Sequence, residues 1–321
     1  MSALVLTGAS SFLGRALLAA LPAHLFPELR ILVHHKPVPE FSAGRRVVRV
    51  NGDLLDLKSL RDLIPAGSTV IHLAYLATST AKEDNLAAAR NLLAACRNAG
   101  IARLIQCSTA VVVGDVPDDV VTEETPCRPL TDYERVKYRI EQEMREAAAG
   151  RHKVAILRPT SVFGPGGRNL VSLARRIRAG SEAVNLAYSL VEGRRRMNLV
   201  SVHNVAAALS FLASTRHAID QQTYIVSDDE DPLNNFRDVE QILRRELGRM
   251  RAAPAWSIPP VLLSTILRIR GRSNANPNQV YSDVKLRALG LSKAWAFDRA
   301  IAEFARWILA QRGKASGNAG A

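Results

Sequence analysis

The sequence predicts an α/β fold, a doubly wound parallel sheet with a smaller, mainly helical C-terminal lobe. Three observations lead there. Short apolar runs without polar alternation recur through the first half of the chain, as strands buried on both faces require. Segments with helical spacing of apolar residues separate them. A glycine-bearing turn, Gly8 to Gly14, joins the first apolar run to the first such segment.

The elements follow in order. Leu4-Val5-Leu6 is a first strand ending in Thr7-Gly8, and Phe12 to Leu21 is a helix stopped near Pro22. Ile31-Leu32-Val33 is a second strand, and Val47 to Val50 a third, followed by Asn51-Gly52-Asp53. Leu57 to Leu63 is a helix and Thr69 to Leu73 a fourth strand. Glu83 to Ala99 is an Ala/Leu-rich helix closed by Gly100, and Leu104 to Cys107 a fifth strand. Asp132 to Ala149 is a helix ended by Gly150, and Val154 to Leu157 a sixth strand. Strands alternating with helices give a parallel sheet. Past about Gly164 the alternation weakens and proline, glycine and arginine become frequent. We therefore expect a core over residues 1–164, with strands returning to it around 198–228. Residues 165–312 mostly form a substrate-binding lobe over the sheet's carboxyl edge, and 313–321 a small, polar, disordered tail.

The 321 residues carry 43 Lys and Arg against 30 Asp and Glu, a formal charge of +13. At 47% hydrophobic residues the chain is globular, of one large or two small domains. Aromatics, at 5%, are too few for stacking platforms along a nucleic acid, and the basic residues are scattered apart from Arg194-Arg195-Arg196. We expect no nucleic-acid partner and read the basic surface as drawing in an anionic small molecule. No apolar run reaches the roughly 18–20 residues of a membrane span. The longest, Trp256 to Ile269, is broken by Pro259 and Pro260. Cys96, Cys107 and Cys127 have no CxxC spacing, which argues against a disulfide framework and structural zinc and for a reduced, cytoplasmic setting. No His/Cys/Asp/Glu cluster has metal-ligand spacing, so no metal is expected.

The turn Gly8-Ala-Ser-Ser11-Phe-Leu-Gly14 has the mechanics of a pyrophosphate cradle. Gly8 permits the tight turn, small residues let backbone N–H groups approach an anion at the helix N-terminus, and Gly14 permits close helix–strand packing. The fold is then Rossmann-type, with Thr7, Gly8, Ser10, Ser11, Phe12, Leu13 and Gly14 as candidate cofactor contacts. An acidic residue at the end of the second strand would accept the ribose hydroxyls of NAD. Here His34-His35-Lys36 follow that strand, no carboxylate appears until Glu40, and Arg15 follows the loop. These groups suit a 2′-phosphate, so NADP(H) is favoured, with NAD(H) as the alternative. Asp53, beside Leu54, either accepts a hydrogen bond from the adenine amine or caps a turn.

Tyr133 and Lys137 stand four residues apart on one helix face. A phenol of ordinary pKa about 10 is acidified by a nearby cation and can then exchange a proton with a carbonyl oxygen as a hydride reaches the carbonyl carbon. The fifth strand runs into Cys107-Ser108-Thr109, which supplies a hydroxyl beside the phenol. Each piece alone is common, and their order on one sheet is specific.

Taken together, the chain resembles the extended short-chain dehydrogenase/reductase superfamily, of the NAD-dependent epimerase/dehydratase type. The resemblance rests on Thr7 to Gly14, Asn51-Gly-Asp53-Leu54, His72-Leu-Ala74, Asn85 to Leu93, Cys107 to Gly114, Tyr133 to Lys137, Leu157 to Pro165 and Val200 to Val205. It covers about residues 3 to 210. It implies Tyr133 as general acid/base, Lys137 as its partner and Thr109 as the second hydroxyl. It further implies Gly8, Ser11 and Gly14 at the pyrophosphate and Asp53 and Leu54 at the adenine. Leu73, Ala74, Tyr75 and Cys107 lie along the cofactor, with Pro159 and Val162 by the nicotinamide. Ser108, Ser161, Arg168, Asn169, Arg195 and Arg196 are implied on the substrate side. It also implies a homodimer through the helices Glu83–Ala99 and Asp132–Ala149.

Several positions depart from the pattern. Ser11 replaces the middle glycine and Val113 a tyrosine. Ser161 stands for asparagine, Met197 for an arginine that grips a diphosphate and His203 for aspartate. These departures bear on the substrate. The first reading is NADP(H)-dependent reduction of a nucleotide-diphosphate sugar, or its 4-epimerisation with bound NAD. The second is oxidation or reduction of an apolar, steroid- or flavonoid-like carbonyl compound, which Val113, Met197 and the apolar stretch Ile258–Leu267 favour. The third, a non-enzymatic cofactor sensor, is disfavoured by the intact Thr109, Tyr133 and Lys137.

Overall fold

The computed structural model describes residues 3–38, 44–76, 82–148, 153–254, 256–269 and 275–317. Through the first half run strands β1 (Leu4–Thr7), β2 (Glu28–Val33), β3 (Arg46–Asn51), β4 (Thr69–His72), β5 (Arg103–Cys107), β6 (Val120–Val121), β7 (Lys153–Pro159) and β8 (Ser161–Phe163), with helices α1 (Phe12–Ala20), α2 (Lys82–Ala99) and α3 (Asp132–Ala148). Beyond them lie α4 (Val171–Ala179), α5 (Glu182–Glu192), β9 (Leu199–Ser201), α6 (Val202–Ser214), β10 (Gln222–Val226), α7 (Phe236–Glu246), α8 (Pro260–Ile269), β11 (Val280–Tyr281), α9 (Val284–Ala288) and α10 (Phe297–Gly317).

Among the described residues, seven strands form one parallel sheet in the order β10-β7-β5-β4-β1-β2-β3. Its direction of winding reverses between β1 and β4, which opens a crevice at their carboxyl ends. Side chains alternate across each strand and build two cores. Leu4 and Leu6 of β1 join Leu17 of α1 and Val205, Leu209 and Leu212 of α6 on one face. Val5 joins Leu92, Leu93 and Cys96 of α2 and Val136, Ile140 and Met144 of α3 on the other. α2 ends where Gly100 (φ +64°) turns left-handed, letting Ile101 N donate to Cys96 O and Gly100 N to Arg97 O.

Four sequence expectations change. The second strand starts at Glu28, three residues before its apolar run, because Arg30 is matched by Glu28 (2.7 Å) and by the Leu63 carbonyl (2.9 Å). The helix expected over Leu57–Leu63 is a single 3₁₀ turn, Leu57–Leu60. Pro65 disfavours helical geometry at the residue before it and leaves too little length for an α-helix. Of the segment 198–228, β10 joins the main sheet, whereas β9 pairs with β8 outside it. The last helix continues to Gly317, past the start of the tail expected at Gly313, because extending a packed helix adds one hydrogen bond per residue. Residues 318–321 and Gly150 lie outside the described residues.

α3 is fastened to the sheet by a buried ion pair. Arg158 of β7 donates from Nε (3.0 Å) and Nη2 (2.6 Å) to the carboxylate of Glu141, and the two side chains are 3% and 0% exposed. Removing one partner strands the other charge in the core. Glu141→Leu alone therefore costs about 3–5 kcal/mol of stability, and adding Arg158→Met recovers most of it. Urea denaturation of the two variants checks this, since a double variant no better than the single would show that the pair does not act as a unit.

Candidate active site

The crevice is made of bare backbone. Gly8 (φ +75°) presses on β4 so closely that a Cβ there would lie 2.6 Å from Ala74 N. A Cβ at Gly14 would lie 2.3 Å from Gly8 O. Ser11, in the place of the middle glycine, caps α1. Its Oγ accepts from Gly14 N (3.0 Å), and its own N–H donates to Gly8 O (3.0 Å). The α1 N-terminus thus faces a surface without side-chain bulk, which suits a pyrophosphate.

Two adjoining cavities share Ser10, Lys36, Tyr75, Leu76 and Asn85 as walls. The smaller, about 570 Å³, runs from Gly8 past His34, His35, Lys36, Asp53 and Leu54 to Ala74, with His72, Gln106 and Lys137 at its floor. The larger, about 1020 Å³, is lined by Ser11, Phe12, Arg15, Tyr133, Val162, Arg168 and Asn169. Asn85 clamps the wall between them, its amide bonding both the N–H and the carbonyl of Leu76 at 2.9 Å. The cradle and the polar groups beyond it fit a nicotinamide dinucleotide. The glycine turn would hold its phosphates, and Asp53, Leu54 and His34 to Lys36 its adenosine end.

Thr109, just past β5, lies near Tyr133 at the head of α3. The Tyr133 ring meets Tyr75 edge-on, with centroids 5.3 Å apart. Lys137, buried one turn further along α3, places Nζ 4.4 Å from the Tyr75 ring centroid and donates to Cys107 O (3.3 Å). Desolvation pushes the Tyr133 phenol up to about 12 against the pull of the Thr109 hydroxyl. Lys137 is directed elsewhere. That ammonium is turned to the Cys107 carbonyl and the Tyr75 face, and burial lowers its own pKa. Tyr133 stays protonated at neutral pH.

Two floor residues had no site role assigned from the sequence. His72 is buried and shares a hydrogen bond of 2.6 Å between Nδ1 and Thr7 Oγ1. Burial, helped by the Lys137 charge, pushes its pKa down to about 3, so it is neutral. Gln106 donates from Nε2 to Cys107 O (2.8 Å), the carbonyl that Lys137 also uses, and its buried Oε1 has no protein partner. The available signals were a histidine and a glutamine interrupting apolar strands.

The structure gathers most of the expected residues. Thr7 stands behind the cavity through His72, Cys107 through its carbonyl, and Leu13 and Leu73 pack on the core below. Pro159 closes the buried end of β7, and Ser108 is buried with its Oγ unpartnered. Asn169 donates from Nδ2 to Val162 O (2.7 Å), while Ser161 is exposed and uses its N–H on Asn198 O (2.8 Å). His34 is 3.4 Å from the Asp53 carboxylate, and its ring centroid is 3.7 Å from that of His35. Arg195 and Arg196, expected on the substrate side, line neither of these two cavities. Arg195 pairs with Glu192, and Arg196 donates from Nη1 to Asp231 O (3.3 Å) while its backbone bridges to Asn235. The turn after α5 uses both arginines to hold the lobe together.

A glycine-turn cradle at the reversal point of a parallel sheet, with Tyr133 and Lys137 on the helix beside it, is the architecture of the extended short-chain dehydrogenase type. The pattern of the NAD dependent epimerase/dehydratase family matches residues 4–227, and the chain belongs to that family. It is 30% identical over 170 residues to sterol demethylase protein B of Methylococcus capsulatus, covering 50% of this chain and 52% of that protein. The chain therefore spans about half the length of that relative. It is 26% identical over 252 residues to the decarboxylating sterol-4-alpha-carboxylate 3-dehydrogenase of Candida albicans, covering 71% of each. Its fold is shared with the UDP-glucose 4-epimerase of Thermus thermophilus in complex with NAD (TM-score 0.69, 23% identity, 96% of this chain and 99% of that one).

His72 sets a pH dependence. Below the ordinary pKa of 6.5 an unfolded histidine takes up a proton that folded His72 refuses until about pH 3, so acid favours unfolding across that window. His72→Asn removes this part of the acid sensitivity. Urea midpoints at about pH 7 and about pH 4 fall less steeply in the variant, and parallel falls would contradict the assignment.

Proposed function

We propose that the chain interconverts a ketone and a secondary alcohol on a substrate with a large apolar part, using NADP(H). The observation that carries the chemistry is Tyr133 lining the larger cavity, with Lys137 one turn behind it on the same helix and its Nζ on the Cys107 carbonyl at the end of β5. When bound, the cofactor supplies or accepts a hydride. Tyr133, protonated at neutral pH, gives its proton to the carbonyl oxygen, and the Thr109 hydroxyl stabilises the phenolate left behind. Lys137 and Gln106 hold the Cys107 carbonyl and so fix the end of β5 from which Thr109 projects.

The apolar substrate is supported by the arginines turned away at 195 and 196 and by buried Val113. The sterol-acting relatives point the same way. Arg168 and Asn169 in the larger cavity favour a second reading, in which a nucleotide-diphosphate sugar is reduced or 4-epimerised. NADP(H) is supported by the absence of a carboxylate directly after β2, and by Lys36 lining both cavities and Arg15 the larger. The lobe over 165–312 would supply the substrate side. A homodimer through α2 and α3 accords with their side-by-side packing on one core, and a reduced, cytoplasmic setting with the free Cys96, Cys107 and Cys127.

Tyr133→Phe lowers turnover about 10²–10⁴-fold and leaves NADPH binding intact. Steady-state kinetics with parallel fluorescence titration of the cofactor decide this, and unchanged turnover would remove Tyr133 from the chemistry.

The substrate readings separate in a thermal-shift panel. A ligand at about a hundred times its Kd stabilises the fold by about 2.7 kcal/mol. NADPH shifts the midpoint more than NADH, and a 3-ketosteroid adds a further shift that UDP, GDP and dTDP do not. A further shift with one nucleotide instead would establish the sugar reading.

A further inference from the structure

We propose that the stretch from Leu247 to Ile269, centred on α8, docks the protein on an anionic lipid surface. Leu263 and Leu267 form one side of α8 and pack with Val191, Ile258 and Ala275. The opposite side is apolar too. Val261, Leu262 and Ile269 are 79%, 52% and 82% exposed, and their spacing along the helix places them on one face. Met250 and Trp256, on the chain leading into the helix, are 70% and 65% exposed. Single exposed apolar residues are ordinary, whereas this many large ones within about twenty residues mark an interaction site.

Charge selects the occupant. From Leu247 to Ser282 the sequence has no Asp or Glu and five arginines, at 249, 251, 268, 270 and 272. Arg249 and Arg268 are exposed on this stretch, Arg268 with its Nε 3.9 Å from Asp115, while Arg251 turns inward to Glu182 and Glu240. A second copy would bring the same cations against themselves, and each chain already carries +13. An anionic bilayer accepts both features, because acyl chains take up the apolar face and headgroups neutralise the arginines. Trp256 adds an apolar ring with an N–H donor, the amphipathic form suited to that boundary. Among the described residues no helix is long and apolar enough to cross a membrane, so the contact is one of docking at the surface. The inference does not rest on the substrate reading.

The test is co-sedimentation of the full chain with vesicles of phosphatidylcholine alone or with about 30% phosphatidylglycerol. Partitioning is at least about tenfold stronger onto the anionic vesicles and weakens as salt rises from about 0.1 to about 0.5 M. The double variant Val261→Ser, Ile269→Ser loses it while melting like the wild type by circular dichroism, because both positions face solvent. Arg268→Gln weakens it specifically on anionic vesicles. Three results would overturn the proposal: no sedimentation of the wild type, equal sedimentation of the double variant, or light scattering showing a dimer that the double variant dissociates. The last would assign the face to a second copy.

Discussion

One stripe of α3 fixes the active site, and the Glu141–Arg158 pair is its anchor. Residues 133, 137, 141 and 145 recur every four positions and therefore share a face. Each meets the structure beneath it in turn. Tyr133 stands near Thr109 beyond β5, Lys137 bonds the last carbonyl of β5, Glu141 takes Arg158 of β7, and Arg145 reaches Thr223 of β10. The helix thus lies across three neighbouring strands with polar contacts from the crevice rim inward. Apolar Val136, Ile140 and Met144 flank them and exclude water. A carboxylate and a guanidinium buried together tolerate little rotation, because any slip breaks two charge-assisted hydrogen bonds in a medium that cannot replace them. The position of the phenol at the rim is consequently set two turns away, in the core.

Burial also sets the protonation states at the other end of the stripe. His72 is kept as a neutral imidazole, and the nearby Lys137 is depressed by the same desolvation. A second cation beside Lys137 would be costly there. A neutral imidazole bonded to Thr7 gives β1 and β4 a polar link at the reversal point without adding charge. The cradle glycines also work by omission, since the space that a Cβ would fill is taken by the neighbouring backbone, of Leu73 and Ala74 at Gly8 and of Gly8 and Ala9 at Gly14.

What the sequence revealed follows the physics of each signal. Parallel strands buried on both faces are legible as apolar runs, and Gly8 and Gly14 are legible because backbone approach leaves no residue choice. The start of β2 was hidden because Glu28 and Arg30 satisfy one another at its edge. The turn at Leu57 looked helical because spacing was weighed without Pro65. The pairing of Tyr133 with Thr109 was legible from order along the sheet, but its raised pKa depends on burial, which no spacing encodes. His72 and Gln106 were hidden for the same reason, since a polar residue in a strand does not announce which cavity its side chain lines.

The arginine triplet shows how a charge run misleads. Its three members follow α5, and the lobe engages each one: Arg194 with Asp238 (3.5 Å), Arg195 with Glu192, Arg196 with the carbonyl of Asp231 (3.3 Å). Arg194 reaches α7, Arg195 turns back on the end of α5, and Arg196 holds the loop before α7. The cations that face the larger cavity come instead from Arg15, Lys36, Lys82 and Arg168, and Lys82 is matched by Asp132 (2.6 Å). Arg15 and Lys36 stand where the phosphates of a dinucleotide would lie, which leaves Arg168 for the substrate. A diphosphate would ask for more than one such group, whereas a carbonyl on an apolar frame asks only for the Thr109–Tyr133 pair and an apolar wall.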